Sequence, residues 1–452
     1  MLRNKIILLL ALLLISPVAG RAENASLRIA TFDIDVTPPV GSMMAYDPVK
    51  EIGEVSLRCR GVVLLGTGQP IVLCAVDWLG IGNEAHDAFR ESIAKAVGTD
   101  PARVTVHTLH QHDAPAADFS AEKLLQAKES PLGRYDGTVA RTVLKRLSEV
   151  LPPALKAAQP VTQIGLGKAT VKEVASNRRI LGPDGKVRAV RYTATKDPKL
   201  RAEPEGLIDP ELCLITLWNG EKPIASLSYY AVHPQSYYRT GIPNPDFPGL
   251  ARLTRQLEVP DTLHVHFNGA GGNLGAGKYN DGSHENRWIL AQRVAEAMRS
   301  AWDNTKKEPI AAADVKWTHQ GVALPVSANI KRGEMEAAVA GPDGGILLGA
   351  AAKLAWLNRC EGGHQIEIGC LQLGRARVLH LPGELFVEYQ LAAKKMRPDL
   401  FVTMAAYGDY GPGYIGTAIA YEEGGYETSA RASNVAPAVE KVLMDAMQSL
   451  LK

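Results

Sequence analysis

The stretch Val104-Thr105-Val106-His107-Thr108-Leu109-His110-Gln111-His112-Asp113-Ala114-Pro115 opens as an alternating, β-branched strand and closes in a turn marked by proline. Strand side chains alternate faces, so His110 and His112 are predicted to share one face. Two imidazoles at the end of a buried strand can make half of a zinc site, or a metal ligand beside a group that handles protons. A polar turn with solvated histidines reads the same over so short a pattern. The remainder of the chain has to separate these readings.

Around this strand, apolar runs alternate with helical spacing. Strands are predicted over 26–36, 61–65, 70–78, 212–218 and 224–232, and helices over 83–97, 138–151 and 285–302. Buried strands interleaved with helices define an α/β class: a layered, mixed β-sheet core flanked by helices. The order of the strands is not legible at this level. No long linker, charge block or repeat marks a boundary, so residues 23–452 read as a single domain.

Residues 1–22 read as a cleaved signal peptide. Arg3 and Lys5 precede an apolar run over 6–15, and Ala19, Gly20 and Ala22 offer small residues for cleavage. The run is too short for a comfortable membrane span. The expected product is secreted or periplasmic, with no transmembrane anchor after cleavage. Cleavage would remove three of the 50 basic residues and none of the 48 acidic ones, moving the formal charge from +2 to −1. So even a balance, without basic clusters, gives no reason to expect a nucleic-acid partner. The five cysteines include no C-x-x-C pair, which excludes a cysteine zinc or redox site; Cys360 and Cys370 could bridge in an oxidising compartment.

Four further stretches carry chemistry. In Ala231-Val232-His233-Pro234-Gln235-Ser236 a histidine again ends an apolar strand before a proline. In His380-Leu381-Pro382-Gly383-Glu384 a strand runs into Pro-Gly, and Glu384 is predicted to open a helix over 384–395, where a carboxylate serves the helix dipole or a metal. The block from Tyr407 through Tyr410 and Tyr414 to Tyr426-Glu427 places phenols among glycines. Finally, Gly272 to Lys278 fits the G-x-x-x-x-G-K phosphate loop, but Tyr279 stands where a magnesium-binding Ser or Thr belongs. A glycine loop lining a pocket is the expectation there, with no nucleotide.

Together these stretches resemble the neutral/alkaline ceramidases, zinc amidases that cleave the N-acyl bond of ceramide. His110-Gln111-His112-Asp113-Ala114-Pro115 resembles their His-Thr-His-Ser-(Ala/Gly)-Pro, 231–236 their second histidine motif, and Leu381-Pro382-Gly383-Glu384 their Pro-Gly-Glu. Asp35-Val36-Thr37-Pro38, Met43-Met44-Ala45-Tyr46, Asn177-Arg178, Pro245-Asp246 and the tyrosine block are similar as well, in the same order over most of 28–430. The resemblance implies a neutral-ceramidase-like catalytic domain in which His110, His233, Glu384 and Tyr414 hold Zn2+, while His112, Arg178 and Tyr426 handle the scissile carbonyl and protons. Two imidazoles, a carboxylate and a phenol leave such a zinc site open to water.

This chain departs from the family's pattern in three ways. Gln111 and Asp113 replace Thr and Ser, residues are added around Gly411-Pro412-Gly413, and the sequence to Lys452 is expected to hold no counterpart of the family's immunoglobulin-like domain. The expected activity is zinc-dependent hydrolysis of an N-acyl amide, in ceramide or a related N-acyl amine. The alternatives are a zinc hydrolase of another amide or ester, such as a cell-wall or polysaccharide derivative, and a non-catalytic binding protein on the same fold. The partner expected is a small-molecule amide or lipid, with no protein partner evident. A lipid substrate implies transient contact with a membrane surface, for which 6% aromatic content and no basic amphipathic helix offer no docking motif.

Overall fold

Strand-forming runs rich in valine, isoleucine and leucine assemble into three main sheets in the computed structural model, which describes residues 26–452. The leader expected over 1–22 lies outside the described residues. The first sheet has the order Val104–Thr108, Ile71–Val76, Arg58–Leu65, Arg28–Asp35 and Gln159–Pro160. The second runs Leu263–Asn268, Lys222–Tyr230, Glu211–Asn219, Gln163–Thr170 and Lys306–Pro309. The third runs Val315–Val322, Ile366–Leu373, Ala376–His380 and Phe401–Ala405. These are the mixed sheets of an α/β protein.

All three sheets end in the same way. Each is antiparallel except at one edge, where the last two strands run parallel. Parallel neighbours need a crossover, and a helix supplies it each time: Asn83–Val97, Asp246–Glu258 and Val387–Met396. The three parallel edges pack against one another in a shared core that includes Leu73, Leu227, Phe267, Val378 and Ala405. Removing a wholly buried ring such as Phe267 there should cost about 3–5 kcal/mol.

Hydrogen bonds close the ends of these edges into a ring. Thr108 N donates to Tyr407 O at 2.9 Å, and Ala406 N donates to Asn268 O at 2.9 Å. Asn268 Nδ2 then donates to Leu109 O at 2.9 Å. Six loops at the carboxyl ends of parallel strands therefore face one crevice, the usual place for a site in such folds. A buried bidentate pair, Arg252 Nη1 and Nη2 donating to Asp77 Oδ1 and Oδ2 at 2.7 and 2.6 Å, ties the second crossover helix to the first sheet's loop.

All five cysteines are free, so the Cys360–Cys370 bridge allowed by the sequence is not made. Cys370 lies inside the Ile366–Leu373 strand and Cys360 on the Gly344–Glu361 helix. No helix among the described residues is long and apolar enough to cross a membrane.

Candidate functional site

His110 and His112 do come together, but strand alternation is not the reason. The strand ends at Thr108, and His110 takes a left-handed backbone with φ 60°. That conformation is uncommon outside glycine and folds the chain back, so that both rings face the crevice. His233 follows the Lys222–Tyr230 strand in the second sheet. Glu384 was expected to open a helix; instead it lies in a short parallel pairing with Tyr414, and the helix begins at Val387. Asn273 explains the delay, because its Oδ1 accepts from Val387 N at 2.9 Å and supplies the partner for the helix start.

The ring nitrogens converge. His112 Nε2 lies 3.3 Å from His110 Nε2 and 3.1 Å from His233 Nε2. His110 Nδ1 sits 2.8 Å from Leu79 O, which can only accept, so the proton is on Nδ1 and Nε2 is bare. Glu384 Oε1 accepts from Tyr410 OH at 2.6 Å. Its Oε2 is buried with no hydrogen-bond donor, 3.3 Å from His110 Nε2 and 3.6 Å from His233 Nδ1. The bare His110 Nε2 and the Glu384 Oε2 face each other as two acceptors with no proton between them, and a cation satisfies both at once.

Burial lowers the pKa of all three imidazoles, those of His112 and His233 most strongly, despite the pull of the Glu384 carboxylate on His110. Neutral rings are what metal ligation needs. His110, His112 and His233 thus form a group that could hold a metal ion, with their ligand atoms all within 4.8 Å of one another. The donor set fits a metal such as zinc.

Around this group stand aromatic and charged side chains. Tyr414 stacks on His233, with centroids 6.4 Å apart, and Tyr426 meets Tyr414 edge-on at 5.7 Å. Arg178 lies over the Tyr414 ring at 5.2 Å. Its Nε is 2.8 Å from Glu427 Oε1, while Arg179 Nη1 donates to Glu427 Oε2 at 3.2 Å. Burial raises the pKa of Tyr410, Tyr414 and Tyr426, and the Glu384 charge adds to it. Tyr46 OH lies 3.2 Å from His112 Nδ1 and stacks on its ring, with Tyr238 on another side.

The glycine-rich segment backs this site. Lys278 Nζ is held by the carbonyls of Arg201 and Glu203, which leaves it no phosphate to meet. A Cβ on Gly271 would come within 2.6 Å of Val232 C, and one on Gly272 within 2.3 Å of Glu384 O. Leu274–Gly275 pairs with Ser176–Asn177, and Arg178 N donates to Asn273 O at 2.9 Å. One loop therefore sets the backbones behind His233, Glu384 and Arg178.

All seven residues singled out from the sequence line this crevice or its wall. The contacts of Tyr46, Tyr410 and Glu427 were not assigned from sequence. Tyr410 and Glu427 lie within the tyrosine block, but their partners are distant in the chain, and no local spacing announces them.

Fold and site together define a class: a three-sheet α/β protein whose parallel strand ends surround a histidine group suited to a metal. No protein-family profile matches the sequence, and no curated protein does. Among solved structures the chain is similar to a ceramidase described as complexed with C2, with a TM-score of 0.70 and 15% identity over 94% of this chain and 75% of that one. It is likewise similar to neutral ceramidase from Pseudomonas aeruginosa, with a TM-score of 0.68 and 16% identity over 95% and 75%. The chain has the neutral ceramidase fold.

Proposed function

We propose that this protein is an exported, zinc-dependent amidohydrolase that cleaves an N-acyl amide, in ceramide or a related N-acyl amine, with residues 23–452 acting as one catalytic domain. One observation carries the reading: the ring nitrogens of His110, His112 and His233 and the unpartnered Glu384 Oε2 converge in a buried crevice of a neutral ceramidase fold. His110, His233, Glu384 and Tyr414 would hold the zinc. Bound zinc supplies Lewis-acid polarisation and lowers the pKa of a water from ~15.7 towards about 7.

The chain's own groups then have distinct tasks. Tyr410 engages Glu384 Oε1 and leaves Oε2 presented. As water adds to the amide carbonyl, negative charge develops on its oxygen, and Arg178 and Tyr426 are the donors to stabilise it. Glu427 fixes the Arg178 guanidinium from behind. His112, oriented by Tyr46, moves a proton to the leaving nitrogen.

Metal content and amide hydrolysis, measured together on mature wild type and His110→Ala, test the proposal. A fluorescent N-acyl-sphingosine and a panel of other N-acyl amines are the substrates. One zinc per chain with cleavage in the wild type, and neither in the variant, is expected. Zinc with turnover of only another amide or ester would keep the mechanism and replace the substrate. Zinc without any hydrolysis would point to a binding protein, and failure to load metal would overturn the site.

A further inference from the structure

Beside the histidine group opens a cavity of about 910 Å³, reaching Tyr46, Glu384, Tyr410, Tyr414 and Tyr426. Its far wall is apolar, built by Met335 and Ala338 of one helix and Ile346 and Ala350 of the next. Three cations also border it: Arg134, Lys353 and Arg431.

The acids on the same walls are already engaged. Asp118 Oδ1 accepts from Ala121 N at 3.0 Å and Oδ2 from Asn83 Nδ2 at 2.6 Å, and burial pushes this carboxyl up to about 7. Asp343 Oδ1 accepts from Gly345 N and Ile346 N and caps its helix. Glu384 belongs to the metal group. Arg134 has no such commitment: among the described residues no carboxylate lies within ion-pair distance, and its guanidinium sits over the Tyr135 ring, 5.2 Å from the centroid. Arg134 lines the same cavity as Tyr46, which contacts His112, and Tyr410, which contacts Glu384, so its charge opens onto the space beside the metal group. Lys353 donates to Ala430 O, and burial together with Arg431 lowers its pKa. An arginine without an acid partner beside a metal group, with an apolar wall beyond, suits an amphiphile that brings its own anion.

We infer that the substrate is an N-acyl amine carrying an anionic group, such as an N-acyl amino acid or an N-acyl aminosulfonate, whose anion pairs with Arg134 while its acyl chain lies along the Met335–Ile346 wall. This rests on the amidase reading. It deepens that reading by exchanging a neutral head group for a charged one.

Zinc-loaded mature protein would be assayed with N-dodecanoyl-glycine and N-dodecanoyl-taurine against the neutral N-dodecanoyl-ethanolamine. Binding of the taurine conjugate would be followed by calorimetry. The anionic amides should be preferred by about tenfold in kcat/KM, through KM. Arg134→Gln should bring that ratio towards one and weaken taurine-conjugate binding by about tenfold, and Arg134→Lys should retain most of both. Equal kcat/KM for charged and neutral amides, or a ratio indifferent to Arg134→Gln, overturns the inference. If no amide is cleaved, the amidase reading fails by itself. Binding then decides: loss of affinity in Arg134→Gln but not in Arg134→Lys upholds the anion site, and equal affinity in all three rejects it.

Discussion

Strain and charge concentrate where the rings meet. His110 (φ 60°) and Tyr407 (φ 58°) both adopt left-handed backbones, and their rings stack with centroids 5.0 Å apart. Each such residue costs on the order of 1–3 kcal/mol and persists only where its surroundings enforce it. Glu427, wholly buried, faces both Arg178 and Arg179. Glu427→Gln should therefore destabilise the fold by about 3–5 kcal/mol in a urea titration, because the buried Arg178 loses its counter-charge and Arg179 is left with Glu423 alone. Tyr426→Phe should behave differently: zinc content unchanged, and kcat for the cleaved amide lower by roughly 10²–10³. An unchanged kcat would remove Tyr426 from the proposed chemistry. At this scale the sequence marks candidate ligand residues, because a histidine or carboxylate placed where an apolar strand ends stands out. Tyr46 did not stand out as a partner, since it reaches His112 across 66 positions.

Among the elements, the recurrent unit is a strand, a crossover helix and a parallel strand, once per sheet. Its strands and helices were legible as alternating runs, and the α/β class followed from them. Pairing order was not, because which strands neighbour one another depends on contacts between residues far apart in the chain. The start of the Val387–Met396 helix is hidden from the sequence for the same reason, since Asn273 sets it from another loop. That loop provides a test. Gly272→Ala would drive a Cβ into Glu384 O, so zinc affinity should fall by tenfold or more while the far-ultraviolet dichroism stays native. Undiminished affinity would mean that the loop can give way. Asn268→Leu removes the donor to Leu109 O and should lower the melting temperature and zinc occupancy together.

For the molecule as a whole, buried histidines set the response to acid. Burial pushes His107 and His266 down to about 3 and His264 down to about 4, from 6.5 in the open chain. Below 6.5 the unfolded chain takes up protons that the folded one declines, so stability held above that pH is lost progressively towards about 3. The melting temperature should fall across this window, and a flat profile would show that these rings are charged in the folded protein. On the proposed zinc reading metal and fold are linked too: chelation should lower the melting temperature, by mass action on the native state. The ring through Leu109, Asn268 and Ala406 has a kinetic consequence as well. It joins residues 159 and 138 positions apart, so the crevice takes shape only when all three sheets have docked. Zinc would then arrive after the folding barrier has been crossed. Refolding should run at the same speed with or without the ion, while unfolding slows in its presence, making zinc a latch on a finished structure and no template for building it.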